Sequence, residues 1–171
     1  MPIDIKPHAY DPVTQPELFD GVLARRIVAF VIDVTIIAIP VVLAAMFIFA
    51  FGIVTLGLGW ALYWLLPPGT VIWAIAYFGL TLAGPASATI GMRAVDLEMR
   101  TWYGAQAYFV LGAVHAIVFW LSVSMLTPFI LLVCFFNERR RLLHDILLGT
   151  VVINNARRAA MLRAGMTGVP G

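Results

Sequence analysis

A bundle of α-helices set in a lipid bilayer is the fold class the sequence predicts, and three observations point to it. Of 171 residues, 62% are hydrophobic and only 12% are charged, with a mean hydropathy of +0.96; soluble domains hold about 25% charged and about 45–50% apolar residues. The apolar residues come in runs long enough to cross a ~30 Å hydrocarbon core, which takes about 20 helical residues. The arginines stand at the edges of those runs, at Arg25, Arg26, Arg93, Arg100 and Arg139-Arg140-Arg141, as expected where short basic loops stay in the cytoplasm. The expectation is an all-α, polytopic transmembrane bundle of about four membrane helices, the third and fourth forming a short or tilted hairpin, with both termini cytoplasmic. Three crossings is the alternative.

Residues 1–20 carry Pro2, Pro7, Pro12 and Pro16 among polar and acidic residues, a composition expected to give a mobile N-terminal tail rather than a secretory signal. The transmembrane domain is placed at residues 21–153, and residues 154–171 read as a mobile Arg/Ala/Gly C-terminal tail. The first crossing is the apolar run 27–51, opened by Arg25 and Arg26 and carrying Asp33 inside it. A charge at the centre of such a helix costs ~2.5–3.5 kcal/mol to insert, so Asp33 needs a partner or a proton. Asp33 lies seven residues beyond Arg26, nearly two full turns, so the two share a face about 10 Å apart along the axis. Pro40, another seven residues on, adds a kink to that stripe.

Beyond the first crossing, Gly52, Gly57 and Gly59 followed by Trp60, Tyr63 and Trp64 predict an unwinding and a short interfacial segment. Pro67-Pro68-Gly69 places the outer turn at residues 66–70. A second crossing is expected over 71–90, bent or ended at Pro85, with Gly84 and Ala88 as a small-residue surface for a neighbouring helix. The polar stretch 92–102 follows on the cytoplasmic side. Residues 103–136 then contain no Asp, Glu, Lys or Arg; as one helix they would measure about 50 Å, too long for the core, which favours a hairpin broken near Ser122, Ser124, Thr127 and Pro128. The basic segment 139–153 is expected at the headgroup level, with Gly149 turning the chain into a short strand-like stretch.

Few residues in this pattern carry chemistry. Asp33 and Arg26 form one candidate pair, and His115, inside the third apolar run, is a candidate proton relay or a neutral histidine bonded across helices. His144 and Asp145 are adjacent and point about 100° apart on a helix, so they do not form a metal pair alone. Cys134 is single and reads as a small buried hydrophobe. No nucleotide loop or nucleophile motif is present in the sequence, so no enzyme, cofactor or metal is expected. The arginines form no basic face interleaved with aromatics, so no nucleic acid partner is expected. The expected partners are the bilayer, anionic headgroups near Arg139, Arg140 and Arg141, and a second copy or another membrane subunit.

Three ordered blocks also carry a resemblance. Arg26-Ile27-Val28-Ala29-Phe30-Val31-Ile32-Asp33, the turn Thr89-Ile90-Gly91-Met92-Arg93 with Val95-Asp96 behind it, and Leu143-His144-Asp145-Ile146-Leu147-Leu148-Gly149-Thr150-Val151-Val152 resemble the RDD family of bacterial membrane proteins. The family's name residues would be Arg26, Asp33 and Asp145, and Met92 stands where members usually carry a Lys. The resemblance implies a multi-pass protein of the bacterial inner membrane and extends the candidate set to Thr89, Gly91, Arg93 and His144. It also implies transport, some members being proposed as cation/proton antiporters. Two functional readings follow: a small transporter or transporter subunit using the intramembrane Asp/Arg pair, or a non-catalytic scaffold in which Arg26, Asp33 and Asp145 form a structural polar clamp.

Overall fold

The computed structural model describes residues 9–126 and 143–167. The chain is mostly helical, and its first long element is α1, Val22–Val54, 33 residues that continue through Pro40 without a break. Its inward stripe is Val22, Ala29, Asp33 and Ile37, all buried, at spacings of seven and four residues. At the far end α1 stops at Thr55, and the chain reverses through Leu56 and Gly57, both with positive φ. A 3-10 helix, Leu58–Leu65, then runs back along α1 and passes directly into α2, Leu66–Leu82. Gly52 makes this reversal possible, since a Cβ there would lie 1.9 Å from the Trp60 ring.

The reversal between the first two apolar stretches therefore lies at residues 55–57, not at 66–70, where the outer turn is expected. Pro67 and Pro68 open α2 instead, because the first turn of a helix has no internal partner for the N–H that proline lacks. The second helix is correspondingly displaced toward the N-terminus, ending at Leu82 rather than near residue 90. Next come a turn, the short helix α3, Ile90–Ala94, and strand β1, Leu97–Thr101. The third long helix, α4, is Phe109–Leu126. Its Gly112 packs against Phe78, Gly79 and Leu82, while Gly79 receives the Phe109 ring. Close approach of α2 and α4 thus uses Gly79 and Gly112. Ala88 of the expected small-residue surface is instead buried in the chain's own core with Leu82, Met92 and Leu111.

After α5, Leu143–Leu148, Gly149 turns with φ +63 into strand β2, Thr150–Asn154. The two strands pair antiparallel, with Leu97 opposite Asn154 and Thr101 opposite Thr150. This small sheet corrects the all-α expectation. Its cause is local: β2 is β-branched and wholly buried, so its backbone groups need partners that a second strand supplies. The final helix, α6, is Ala156–Thr167, in the stretch expected as a mobile tail. Residues 9–20, also expected as tail, pack there too: Phe19 is buried with Val151 and Ile153, and Arg163 of α6 donates to Glu17. Residues 9–20 and α6 thus meet at the Arg25 end of α1. Of the expected hairpin break, Ser122 and Ser124 lie inside α4, which runs on unbroken to Leu126, whereas Thr127 and Pro128, with Cys134 and the basic run Arg139, Arg140 and Arg141, lie outside the described residues.

Candidate functional site

The inward stripe of α1 carries two polar groups, two turns apart. Asp33, only 4% exposed, faces α2 and α3. Its Oδ1 accepts from the Tyr77 hydroxyl at 2.5 Å and from the Gly91 backbone N–H at 2.8 Å, and its Oδ2 accepts from the Thr89 hydroxyl at 2.6 Å. Thr89 is at the same time the N-cap of α3, its Oγ1 accepting from the Met92 N–H at 3.1 Å. A carboxylate beside unpaired amide groups at a helix start is favourably placed, because those groups carry partial positive charge. Gly91 is required by closeness: a Cβ there would lie 2.2 Å from the Ala29 carbonyl oxygen and 2.8 Å from the Asp33 carboxyl.

Arg26 takes a different partner. Its Nη2 donates to Asp145 Oδ2 at 2.5 Å, and Asp145 has no exposed surface. The other carboxyl oxygen of Asp145 accepts from the Thr150 hydroxyl at 3.4 Å and lies 3.9 Å from His115 Nδ1. α1, α4, α5 and β2 thus converge on one buried carboxylate. The neighbouring Arg25 donates from Nη1 to Asn154 Oδ1 at 3.0 Å, and the Asn154 amide donates to the carbonyls of Glu17 and Asp20, each at 2.9 Å. Both arginines, expected at the membrane edge, turn inward as ties between the start of α1 and the C-terminal segment.

A family model, RDD family, matches residues 21–149. The chain belongs to the RDD family. Neither a curated protein nor a solved structure matches it. Like its family, this RDD protein is a membrane protein, and two of its helical stretches, α1 and the continuous Leu58–Leu82, are long and apolar enough to cross a bilayer. In the RDD chain the three name residues do not form one cluster: Arg26 meets Asp145, whereas Asp33 is held by neutral donors. The reason is reach, since Asp33 lies two turns further into the bundle and Asp145 comes up beside Arg26.

Of the other expected site residues, Thr89 and Gly91 bond Asp33, and His115 stands beside Asp145. Arg93 does not join them; it is exposed and donates to the carbonyls of Ala88 and Thr81, where a cation complements the C-terminal end of α2. The His144 side chain lies outside the described residues. Residues that sequence reasoning passed over are Tyr77, Thr150, Asn154 and Glu17. Only Tyr77 had a visible signal, a hydroxyl in a charge-free run that must find a partner when buried.

Proposed function

We propose that this RDD protein is a non-enzymatic, multi-pass scaffold or accessory protein of the bacterial inner membrane whose buried charges are structural ties. One observation carries the reading: donors from the chain itself hold both oxygens of the Asp33 carboxyl. An ionised carboxyl offers about four lone-pair sites, and three are taken by Tyr77, Thr89 and Gly91. A cation entering there would find about one acceptor site open instead of four. These bonds also join α2 and the start of α3 to α1, as the Arg26 bond to Asp145 joins α5.

Four crossings with both termini cytoplasmic belong to the same proposal. The bonds that Arg163 and Asn154 donate to Glu17 support an even number of crossings, because they hold the segment ahead of α1 to the segment after α5. The proposed partners are the bilayer, anionic headgroups at Arg139, Arg140 and Arg141, and a second copy or another membrane subunit. A second reading, proton-coupled transport, is favoured by His115 lying 3.9 Å from the Arg26-bound Asp145.

Two measurements on purified protein separate them. Under the scaffold reading, Arg26→Ala strands the buried Asp145 and destabilises the fold by about 3–5 kcal/mol in thermal melts, and Asp33→Ala leaves three buried donors unmet at about 1–3 kcal/mol each. Proteoliposomes then carry no cation or proton flux above empty vesicles. Measurable flux that Asp33→Asn abolishes without lowering the melting temperature sinks the scaffold reading and selects transport.

A further inference from the structure

The turn that joins α1 to the 3-10 helix is built in a way that suits lipid and not water. From residue 34 to residue 92 the chain has no Asp, Glu, Lys or Arg. The tip of this hairpin projects Val54, Leu56 and Leu58, which are 79%, 96% and 82% exposed. Leu56 adopts φ +54, a left-handed conformation in which Asn, Asp or Gly is the usual choice. An aqueous loop gains nothing from a strained, fully exposed leucine. In acyl chains the same side chain is solvated, and an Asn there would be the costly choice.

The polar atoms of the tip are turned inward. Thr55 Oγ1 donates to the Phe51 carbonyl at 2.7 Å and accepts from the Gly59 N–H at 2.7 Å. Trp60 Nε1 donates to the Phe49 carbonyl at 3.3 Å, and the Tyr63 hydroxyl donates to the Ala45 carbonyl at 3.0 Å. The turn closes its own backbone too, with Gly57 N–H on the Gly52 carbonyl at 2.7 Å and Leu58 N–H on that of Thr55 at 3.2 Å. Where no water is available, backbone groups must be satisfied internally, and here every N–H from Thr55 to Trp60 is.

Length agrees. Residues 27–54 of α1 measure about 42 Å at ~1.5 Å per residue. The returning limb adds 8 residues of 3-10 helix to 17 of α2, also about 42 Å at ~2.0 and ~1.5 Å per residue. Both arms exceed the ~30 Å core, and an over-long apolar helix tilts; tilted arms that start in the headgroup layer at Arg26 end near the acyl-chain boundary of the opposite leaflet. We infer that the α1 to α2 connection is not an aqueous loop but a lipid-binding tip, immersed at the acyl-chain and headgroup boundary of the leaflet opposite Arg26. Its apolar surface is continuous with the exposed apolar faces of the two arms, including Leu43, Phe47 and Ile53, so one lipid annulus covers arms and tip together.

The inference rests on the two arms crossing the membrane, and the test separates the two. Nitroxide labels are placed on Val54→Cys, Leu56→Cys and Leu58→Cys, each in a Cys134→Ser background of the full chain, reconstituted in phosphatidylethanolamine/phosphatidylglycerol vesicles. Leu43→Cys reports the arm and Val13→Cys, 81% exposed in the N-terminal segment, reports the aqueous side. All replaced side chains at the tip are exposed, so the fold keeps its contacts. The expected result is that oxygen relaxes the tip and Leu43 labels several-fold more than a water-soluble nickel chelate does, with the reverse at Val13. Nickel-accessible tip labels beside a lipid-accessible Leu43 label overturn the inference and leave the crossing intact. A Leu43 label open to nickel overturns the crossing itself. Tip labels shielded from both reagents and broadened by spin–spin coupling overturn it in favour of a second copy covering the tip.

Discussion

Gly91 shows how much of this molecule turns on single atoms. Its hydrogen in place of a side chain lets the start of α3 press against the α1 backbone at Ala29, and only then does its N–H reach Asp33 at 2.8 Å. Gly91→Ala is therefore expected to cost about 1–3 kcal/mol by forced displacement, and more if the Thr89 and Gly91 bonds to Asp33 part. A melting temperature equal to that of the unaltered protein would show that α3 can move aside freely. Asp33 itself was legible as a costly acid in an apolar run. The resemblance put Thr89 and Gly91 among the candidates, but neither they nor Tyr77 could be paired with Asp33, because they lie 44 to 58 residues away in sequence and helical periodicity carries no information across such gaps.

Element boundaries follow hydrogen bonds more than composition. Pro67 and Pro68 look like a stop yet begin α2, and residues 156–167 look like a loose tail yet form α6. α6 is docked by a pair no local pattern announces: Arg163 donates to Glu17 Oε1 from Nε at 3.1 Å and from Nη2 at 2.5 Å. Glu17 precedes Arg25, ahead of the crossing, and its bond from Arg163 holds its carboxyl below the usual carboxylate range. A carboxyl with a lowered folded-state pKa contributes stability above its unfolded pKa and loses it as pH falls through the folded one. Docking of α6 is thus expected to be constant near neutrality and to weaken in acid below the ordinary glutamate value of 4.5. Hydrogen exchange of α6 amides against pH measures this, and Glu17→Gln should flatten the profile. An unchanged acid profile in that variant would assign the docking to Asn154 and the apolar contacts of Phe19 instead.

At the scale of the whole molecule, the chain closes on itself at one end. β1 pairs with β2 across some fifty residues, Arg25 and Arg26 bind Asn154 and Asp145, and Glu17 binds Arg163. Four crossings then require reporters fused ahead of the first residue and after the last to read out on the same, cytoplasmic, side. Opposite sides would select three crossings and break the ties between the chain ends. Sequence alone determined the membrane class, the RDD membership and the cost of Asp33, because apolar run length, charge placement and short ordered motifs are local quantities. It also located the strand-like stretch after Gly149. Only the tertiary structure decided which carboxylate each charge meets, that a strand from residues 97–101 completes a sheet, and that the reversal occurs at Leu56 and Gly57 rather than at the prolines. Those outcomes depend on which surfaces approach within hydrogen-bonding distance, and Arg26 found Asp145 instead of Asp33 because a chain segment 119 residues away lay closer than two turns of its own helix.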